Sequence, residues 1–569
     1  MAKQRRVLSR TALVFGLMSG WAFSVERTAL AAEEIYVLKY SESAQGVRQW
    51  IGEGWEQGVL PEGREVRISA RPQFVAEHTA VSDDKIVRLE AASPQALQSY
   101  LDQKSLNLDM PKDDPLAVRD EVVTLVNNGP SANRIDLVFM GDGYTASERS
   151  KFFDDIRRLV DQMFAHVTLK SYLPIFNVHV VFRASNESGI GRRGVAKDTA
   201  YKLAREGDTL RAIYPGDTAA IRASCRQAPA CDYPIVIGND PYYGGLGGEF
   251  AISTSSPESG IVVLRHELGH QIGEVGEEYD GGGYFGANHS SSLQNISWSH
   301  WLSGSLHEEP AVARYIDWPW KNLSQGPFTA TFQSDGNQSQ YFINLSASGM
   351  EGDEDVQFFM DGTRVPIVSP HTSNRVFHDI VADHGFSAGQ HTIEISEGNR
   401  DGNNWISSLT VHEYGAGFHA DPHYVSAYPL FQEVGQKDGY RPVNEGCLMR
   451  NMMNEEFCPV CKENNWLKFF GKISMIDAVT VTAEGAGKRV TLLTPALGQF
   501  RADALAGELV QVKWFKNSQE VAAMAGQVTW IAIGADLSAR WEADVTYLTP
   551  EVRRDAQGLL HKRAAVTFN

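Results

Sequence analysis

The chain has 569 residues, enough for about three or four domains of ordinary size. Apolar residues make up 43% and charged residues 21%, which excludes a disordered or collagen-like protein. The formal net charge of -18 at pH 7 disfavours nucleic acid and anionic membranes as partners, because both are themselves negatively charged.

Residues 1–32 are predicted to form a signal peptide. Lys3, Arg5 and Arg6 provide a basic start, residues 11–25 are mostly apolar, and Ala-Leu-Ala at 29–31 offers the small residues that signal peptidase recognises. The apolar run is short for a membrane span, with a retained anchor as the alternative, and Arg5-Arg6 leaves twin-arginine export open. No later stretch is apolar enough to cross a bilayer, so we expect a secreted or periplasmic protein without stable membrane insertion.

Alternation and turn residues divide the rest of the chain. Residues 33–115 show strand-like runs and predict an N-terminal β-rich domain. Residues 116–474 show a mixed α/β pattern, interrupted over 320–413 by alternating runs that predict an inserted β-sandwich. Residues 475–569 predict a C-terminal β-sandwich domain.

The mixed region predicts strands and helices of ordinary length. Short apolar runs indicate buried strands, and apolar residues at helical spacing indicate helices. In chain order, we expect strands at 135–140, 177–182, 233–238 and 249–254, and helices at 148–166 and 261–273. The strand at 249–254 follows a glycine-rich turn and is expected at a sheet edge, where a substrate would align along residues 251–254.

The helix predicted at 261–273 carries the sequence His266-Glu267-Leu268-Gly269-His270. His266 and His270 are four residues apart, so a helix places both imidazoles on one face, within reach of one zinc ion. Glu267 is expected to contact the attacking water as a general base rather than the metal. The pattern predicts a catalytic zinc that lowers the pKa of water and polarises the scissile carbonyl.

The third zinc ligand is less obvious. A catalytic zinc usually has three protein ligands and one open position. On a continued helix Glu277 would lie about 10 Å along the axis from His270, so the helix must end first, and Gly273 or Gly276 can adopt the left-handed conformation that ends it. Glu277 is the first choice and Glu278 the second; the alternative is that both only cap the turn and a distant Glu, Asp or His completes the site.

The motif and its surroundings resemble peptidase family M64, the IgA-peptidase family. The run from His266 to Glu277-Glu278-Tyr279 is similar to the family's HExGH motif with its following acidic pair and Tyr, although Glu277 stands where the family usually has Asp. Further similar segments lie at 136–145, 176–178, 187–189, 243–245, 447–450 and 457–461. The resemblance covers residues 117–302 and 415–470 and leaves the insert and the C-terminal block unexplained.

The resemblance implies a multidomain protein with an α/β (α+β) metzincin-like zinc peptidase domain over 116–474 and one catalytic Zn2+. It also implies a Met-turn beneath the metal. Met449 is the candidate for this turn, with Met452 and Met453 as rivals, and the alternative is that all three are core methionines.

Five cysteines are present in a chain expected to be exported, where pairing is usual. Cys225 and Cys231 flank a short loop and are expected to form a disulfide. Among Cys447, Cys458 and Cys461, one disulfide is the simpler interpretation, and the CxxC spacing of the last two leaves a redox or zinc site open.

Two acidic, glycine- and asparagine-rich runs, at 351–354 and 399–404, leave a structural Ca2+ site in the insert open beside the alternative of solvated turns. Neither run has EF-hand spacing.

The leading hypothesis is an exported zinc-dependent endopeptidase that hydrolyses extracellular or periplasmic proteins or glycoproteins, with Glu267 as general base. The alternative from another class is an adhesin or surface-binding protein whose β-sandwich domains bind protein or glycan. A third hypothesis is a metal-dependent amidase acting on cell-wall peptide. Glu267→Ala separates enzyme from adhesin, because it removes cleavage and leaves binding intact. The family resemblance does not imply immunoglobulin A as the substrate.

Overall fold

A computed structural model of the protein describes residues 120–568 except 166, 208 and 400, together with four earlier strands. The chain divides into two compact units, Met1–Ala117 and Val118–Asn569. The signal peptide predicted for residues 1–32 lies outside the described residues. In the first unit the strands form one antiparallel sheet in the order β2-β1-β4-β3. They are β1 (Glu34–Glu42), β2 (Arg48–Gln57), β3 (Val75–Ala80) and β4 (Lys85–Ala91).

A five-stranded sheet in the order β11-β10-β6-β7-β5 is the framework of the second unit. Its strands run parallel except β5, which is antiparallel to β7. The elements of this region are β5 (Glu121–Val126), β6 (Ile135–Asp142), α1 (Arg149–Ala165), β7 (Phe176–Phe182), β8 (Ala204–Arg205), β9 (Ile213–Tyr214), α2 (Thr218–Cys225), β10 (Tyr233–Gly238), β11 (Ala251–Thr254) and α3 (Gly260–Gly273). Every residue of β6 is buried, as expected of a central parallel strand covered on both faces.

Helices α1 and α3 pack together beside this sheet. A capping box of Thr145 and Glu148 precedes α1, and the apolar side of the helix supplies seven buried residues to the core. Helix α3 packs closely on β11 because Gly260 has no side chain: a Cβ there would lie 2.4 Å from the carbonyl oxygen of Thr254. This close contact sets the position of the histidines further along α3.

The insert consists of two antiparallel sheets, one in the order β12-β20-β15-β18 with β13 beside β20, the other in the order β14-β19-β16-β17. The two sheets share one apolar core, which includes Ile343, Phe358 and Leu409. The strands are β12 (Ala311–Asp317), β13 (Lys321–Asn322), β14 (Phe328–Ser334), β15 (Gln340–Ser348), β16 (Val356–Met360), β17 (Thr363–Val365), β18 (Val376–Ala382), β19 (Gly389–Glu397) and β20 (Trp405–Tyr414).

After the insert the chain returns to the region of the five-stranded sheet and then forms two further sheets, β23-β24-β27 and β26-β25-β28-β29. The core of this C-terminal block is continuous with that of the five-stranded sheet, and the ring centres of Trp466 and Tyr547 lie 5.2 Å apart. The elements are β21 (Tyr428–Glu433), β22 (Gln436–Arg441), α4 (Pro459–Lys472), β23 (Ala478–Glu484), β24 (Gly487–Leu493), β25 (Leu509–Lys516), β26 (Gln519–Glu520), β27 (Thr529–Ala532), β28 (Trp541–Leu548) and β29 (His561–Val566).

The coarse fold prediction is confirmed: the described residues form many β-sheets and few helices in a multidomain arrangement. The domain bounds at 115, 320, 413 and 474 stay predictions. Within the described part of the chain, no helix combines the length and the apolar character needed to cross a lipid bilayer.

Candidate active site

Helix α3 presents two histidines to one point. The Nε2 atoms of His266 and His270 lie 3.2 Å apart, and both side chains are largely buried. Their Nδ1 atoms face backbone carbonyl oxygens, that of Leu448 at 3.2 Å for His266 and that of Val275 at 2.8 Å for His270. A carbonyl only accepts hydrogen bonds, so each Nδ1 carries the proton and each Nε2 lone pair is directed at the shared point.

The chain reverses immediately after α3 and brings Glu277 back to the histidines. Glu274 ends the helix in the left-handed conformation, with φ 49° and ψ 43°, and its N–H donates to the carbonyl of His270. The expectation that Gly273 or Gly276 would adopt this conformation is therefore wrong. Beyond the turn, the Glu277 carboxylate lies 3.0 Å from His270 Nε2 and 3.2 Å from His266 Nε2.

Glu278, the second choice for the third ligand, faces away from the histidines. Its side chain is fully buried and accepts a hydrogen bond of 2.9 Å from Asn288. The side chains of the two candidate glutamates therefore point in different directions: Glu277 lies against the imidazoles and Glu278 against a group of cysteines.

The electrostatics of the cluster follow from its burial and its opposite charges. Burial opposes protonation of His270, but the hydrogen bond and negative charge of Glu277 outweigh it and raise the pKa of His270 to about 9. Burial would raise the pKa of Glu277, but the two imidazoles hold it well below the usual range. The Glu277 carboxylate is therefore ionised when the imidazoles carry protons, and also when a bound cation replaces those protons.

The cluster fits a divalent cation. His266, His270 and Glu277 each offer a ligand atom, and these atoms lie within 4.8 Å of one another. Glu277 Oε2 is buried and accepts no hydrogen bond, although it lies close to His266. Two imidazole lone pairs and a carboxylate facing one point repel each other unless a proton or a cation lies between them. Two nitrogens and an oxygen at one point are a donor set typical of a catalytic zinc.

Glu267 stands beside this cluster, on the wall of a cleft. Burial raises the pKa of its carboxyl to about 7, against the opposing effect of the two imidazoles. The glycine-rich turn passes close to it: a Cβ on Gly247 would lie 2.8 Å from Glu267 Oε2, and one on Gly245 would lie 3.1 Å from Oε1. The carboxylate therefore has room only because these positions lack side chains.

The structure separates the three candidate methionines. Met449 is fully buried directly beneath α3, where a Cβ on Gly269 would lie 2.5 Å from its sulfur. Met452 lines the cleft, and Met453 is 56% exposed. Of the three, Met449 alone lies under the helix segment that carries the histidines; its role as a Met-turn stays a prediction.

The cleft has contributions that sequence reasoning did not identify. Tyr279 lines it, and burial together with the charge of Glu277 raises the pKa of its hydroxyl well above the usual value. The insert supplies Arg375, whose guanidinium lies 4.8 Å from the ring centre of Tyr243. Tyr279 was visible as part of the Glu-Glu-Tyr motif, whereas nothing in the sequence indicates that Arg375, far along the chain, reaches this cleft.

β11 stands at the edge of the sheet, as expected, and the substrate position along residues 251–254 stays a prediction. The residues of β11 are buried, and Leu246 occupies its outer edge through two backbone hydrogen bonds with Ile252, of 3.1 and 2.9 Å. The glycine-rich turn, residues 244–248, covers the edge strand, and residues of this turn line the cleft.

Cys225 and Cys231 form a disulfide, as expected from their spacing. Cys447, Cys458 and Cys461 are all buried and unpaired, so the simpler interpretation of one disulfide among them does not describe this structure.

In the insert, carboxylates of Glu351, Asp355 and Asp401 lie within 4.8 Å of one another. This group joins the two runs considered for Ca2+, whose binding stays a prediction.

Comparison with known proteins bears on the catalytic region. The sequence model of the IgA Peptidase M64 family matches residues 123–333. No curated protein sequence matches the chain.

Similarities to solved structures are distant. A ruminal GH26 endo-beta-1,4-mannanase is 13% identical with a TM-score of 0.15, over 24% of this chain and 24% of that one. The GH26-CBM35 beta-(1,4)-mannanase of Podospora anserina is 16% identical with a TM-score of 0.14, over 21% and 29%. CBM35 from Cellvibrio japonicus Abf62 is 13% identical with a TM-score of 0.13, over 18% and 91%. The chain spans less than a third of the length of either mannanase, and likenesses at these TM-scores do not bear on its function.

The family match covers the strand-loop segment, the histidine motif and the acidic pair that follows it, whereas the similar segments at 447–450 and 457–461 lie outside it and stay predictions. The predicted resemblance is confirmed over residues 123–333, which match the sequence model of the IgA Peptidase M64 family.

Proposed function

We propose that the protein is an exported zinc-dependent endopeptidase with a metzincin-like catalytic domain. The observation that carries the proposal is the convergence of His266, His270 and Glu277 on one point, with the carboxylate of Glu267 beside it. The family match supports a peptidase, and M64 peptidases are metallopeptidases. The ligand set of two imidazoles and one carboxylate supports zinc as the metal.

The chain's own residues have distinct tasks in this reaction. His266, His270 and Glu277 would hold the zinc, which when bound polarises the substrate carbonyl and lowers the pKa of water. Glu267 accepts a proton from the attacking water on its carboxylate and returns it to the departing amine. Burial raises the pKa of its carboxyl above the ordinary value for Glu, which favours its uptake of the proton from water.

The cleft suits a polypeptide substrate. Its walls come from the glycine-rich turn, the loop after α3 and the insert, and a chain laid between them passes Glu267. The backbone of the turn at Gly247 and Gly248 borders the cleft without side chains and offers hydrogen-bonding groups to an extended peptide. Because the insert lines the cleft, its position favours a part in peptide cleavage over a separate adhesive function.

Export rests on two observations that are independent of the site. The basic and apolar N-terminal segment resembles a signal peptide, and the Cys225–Cys231 disulfide persists best in an oxidising compartment. N-terminal sequencing of protein recovered outside the cytoplasm is expected to give a mature end near residue 33, and recovery of the intact N-terminus from the cytoplasm alone would contradict export.

The test of the proposed function is Glu267→Gln in zinc-loaded protein, with hydrolysis of unfolded casein followed by peptide mapping. Gln keeps the size of the side chain and removes the base, so we expect kcat to fall by about 10²–10⁴-fold with zinc content and casein binding retained. Glu520→Gln, on an exposed edge strand of the C-terminal block, is the control and should match wild type. Equal cleavage by both variants, or no cleavage by zinc-loaded wild type, would overturn the proposal.

A further inference from the structure

A second cluster of metal-binding side chains lies behind the first. Cys447, Cys458, Cys461 and Glu278 offer three sulfurs and a carboxylate oxygen, all within 4.8 Å of one another. All four residues are at most 1% exposed. They come from three separate parts of the chain: the segment after α3, the loop that carries Met449, and the start of α4.

Distances within this cluster fit a metal better than a disulfide. Cys447 Sγ and Cys461 Sγ lie 4.0 Å apart, and Cys461 Sγ lies 3.9 Å from Glu278 Oε1. Zn–S bonds of about 2.3 Å separate two sulfurs of a tetrahedral site by about 3.8 Å, and a sulfur from a carboxylate oxygen by about 3.5 Å. A disulfide needs an S–S distance of about 2.0 Å and would leave the third sulfur and the carboxylate without a partner.

Glu278 provides the independent indication of a ligand. Its carboxylate is fully buried among the thiols, and its Oε2 atom accepts no hydrogen bond. A buried carboxylate oxygen without a partner is costly, and a bound cation removes that cost. The N–H of Cys458 also points at Cys447 Sγ, at 3.4 Å, a contact that stabilises a metal-bound thiolate.

We propose that Cys447, Cys458, Cys461 and Glu278 bind a structural Zn2+ distinct from the catalytic one. Three thiolates and one carboxylate fill a tetrahedral shell, so no position remains for water, and thiolate ligands select zinc over calcium or magnesium. The site fastens the segment bearing Glu277 to α4 and to the Met449 loop. It also keeps three thiols from oxidation in an oxidising compartment.

The test is metal analysis and cobalt substitution of the full-length reduced protein. We expect two zinc ions per chain in wild type and one in the double variant His266→Ala/His270→Ala. After exchange into Co2+, both proteins should show thiolate-to-cobalt charge-transfer absorption in the near ultraviolet, which a site of two histidines and a glutamate cannot produce. Cys461→Ser should lose that absorption and one metal ion, whereas Cys225→Ala/Cys231→Ala, the control, should keep both.

The histidine double variant keeps the test decisive if Cys461→Ser does not fold, because it retains every residue of the thiol site. Glu278→Gln gives a second measurement: the charge-transfer absorption should persist with shifted maxima and the metal should exchange faster. One metal ion per wild-type chain without thiolate absorption would overturn the proposal. So would a disulfide between any two of the three cysteines, detected by mass spectrometry of the unreduced chain.

Discussion

Glu277 and Glu278 show how much of the site depends on single residues. They are adjacent in sequence, yet the first carboxylate meets two imidazoles and the second meets three thiols. The sequence made Glu277 the first choice for the third ligand and Glu278 the second, on the condition that the helix ends before them, because a continued helix would carry both too far along its axis. It also left a distant ligand open, since the direction of each side chain depends on the turn at Glu274, whose left-handed conformation nothing in its residue type indicates.

Glu277→Gln is expected to weaken zinc binding at the catalytic site. The amide keeps the size of the side chain but removes the negative charge, so affinity should fall by more than the roughly 10–100-fold that follows loss of a ligand's hydrogen-bond partner. Zinc content after dialysis against a weak chelator, and casein hydrolysis, measure the effect. Glu274→Gln, in the same loop but exposed, is the control. Retention of catalytic zinc by Glu277→Gln at the control's level would place the third ligand elsewhere.

The stability of the C-terminal block is expected to depend on pH through the carboxylate of Glu508. Its buried carboxylate accepts hydrogen bonds from Gly498 N–H and the Tyr547 hydroxyl, both at 2.8 Å, and pairs with Arg501. Burial would raise its pKa, but Arg501 and these donors outweigh burial and lower it. Because the folded pKa is below the unfolded one, the stabilisation is present above about pH 4.3 and is lost as pH falls through the folded pKa.

Glu508→Gln should therefore lower the free energy of unfolding at pH 7 by about 1.5–3 kcal/mol, with a smaller difference from wild type below about pH 4. Urea denaturation followed by tryptophan fluorescence at both pH values measures it. Glu520→Gln, exposed in the same block, should change neither value. A difference that does not depend on pH would contradict the assigned ionisation.

At the scale of elements, the sequence predicts the strands and helices that have clear apolar patterns, but not the segments that pack against them. The strand at 233–238 and the helix at 261–273 agree with β10 and α3 to within a residue, because continuous apolar runs and helical spacing depend on local sequence. The cover on β11 comes from Leu246 in a turn rich in glycine, a residue type that offers no periodic signal. The periodicity of apolar residues predicts which strands and helices form, but the contacts that these elements make depend on turns, which leave no such pattern.

Gly269→Ala is expected to disturb the contact between α3 and the Met449 loop. The added methyl would lie 2.5 Å from Met449 Sδ and 2.9 Å from the Phe457 ring, so it should destabilise the protein by about 1–3 kcal/mol and reduce zinc retention. Gly471→Ala in α4 is the matched control: nothing lies within 4 Å of its added methyl, and helix propensity predicts a gain of about 0.5–1 kcal/mol. Urea denaturation of both variants checks the prediction, and equal effects would show that packing under α3 is not tight.

At the scale of the whole molecule, the insert is part of the cleft. Asn374 accepts a hydrogen bond of 2.6 Å from Tyr243 N–H and donates to the hydroxyls of Ser256 and Ser259 at 3.0 and 3.1 Å. It thereby places Arg375 against the catalytic region. The sequence predicted that this β unit exists, because its strands alternate clearly, but contacts between distant segments leave no local pattern and its role could not be read.

Asn374→Ala should weaken substrate binding without changing the rate of the chemical step. It leaves buried donors and acceptors without partners, so we expect about 1–3 kcal/mol of lost stability. Because the wall of the cleft shifts while Glu267 and the zinc ligands remain, KM for casein should rise with kcat and zinc content unchanged. Asn337→Ala, exposed on the same insert, is the control. An unchanged KM would mean that the insert takes no part in binding substrate.

The turn after α3 has a consequence for how this protein tolerates sequence change. The two neighbouring carboxylates, Glu277 and Glu278, face different clusters. The position of each glutamate in the chain is therefore constrained as well as its residue type. One residue added just before Glu277 would turn that carboxylate to the thiols and leave the imidazoles without one. One residue removed there would turn Glu278 to the imidazoles and set Tyr279 among the thiols. The stretch can vary in composition at its exposed positions, but a change of a single residue in its length would leave one of the two clusters without its carboxylate.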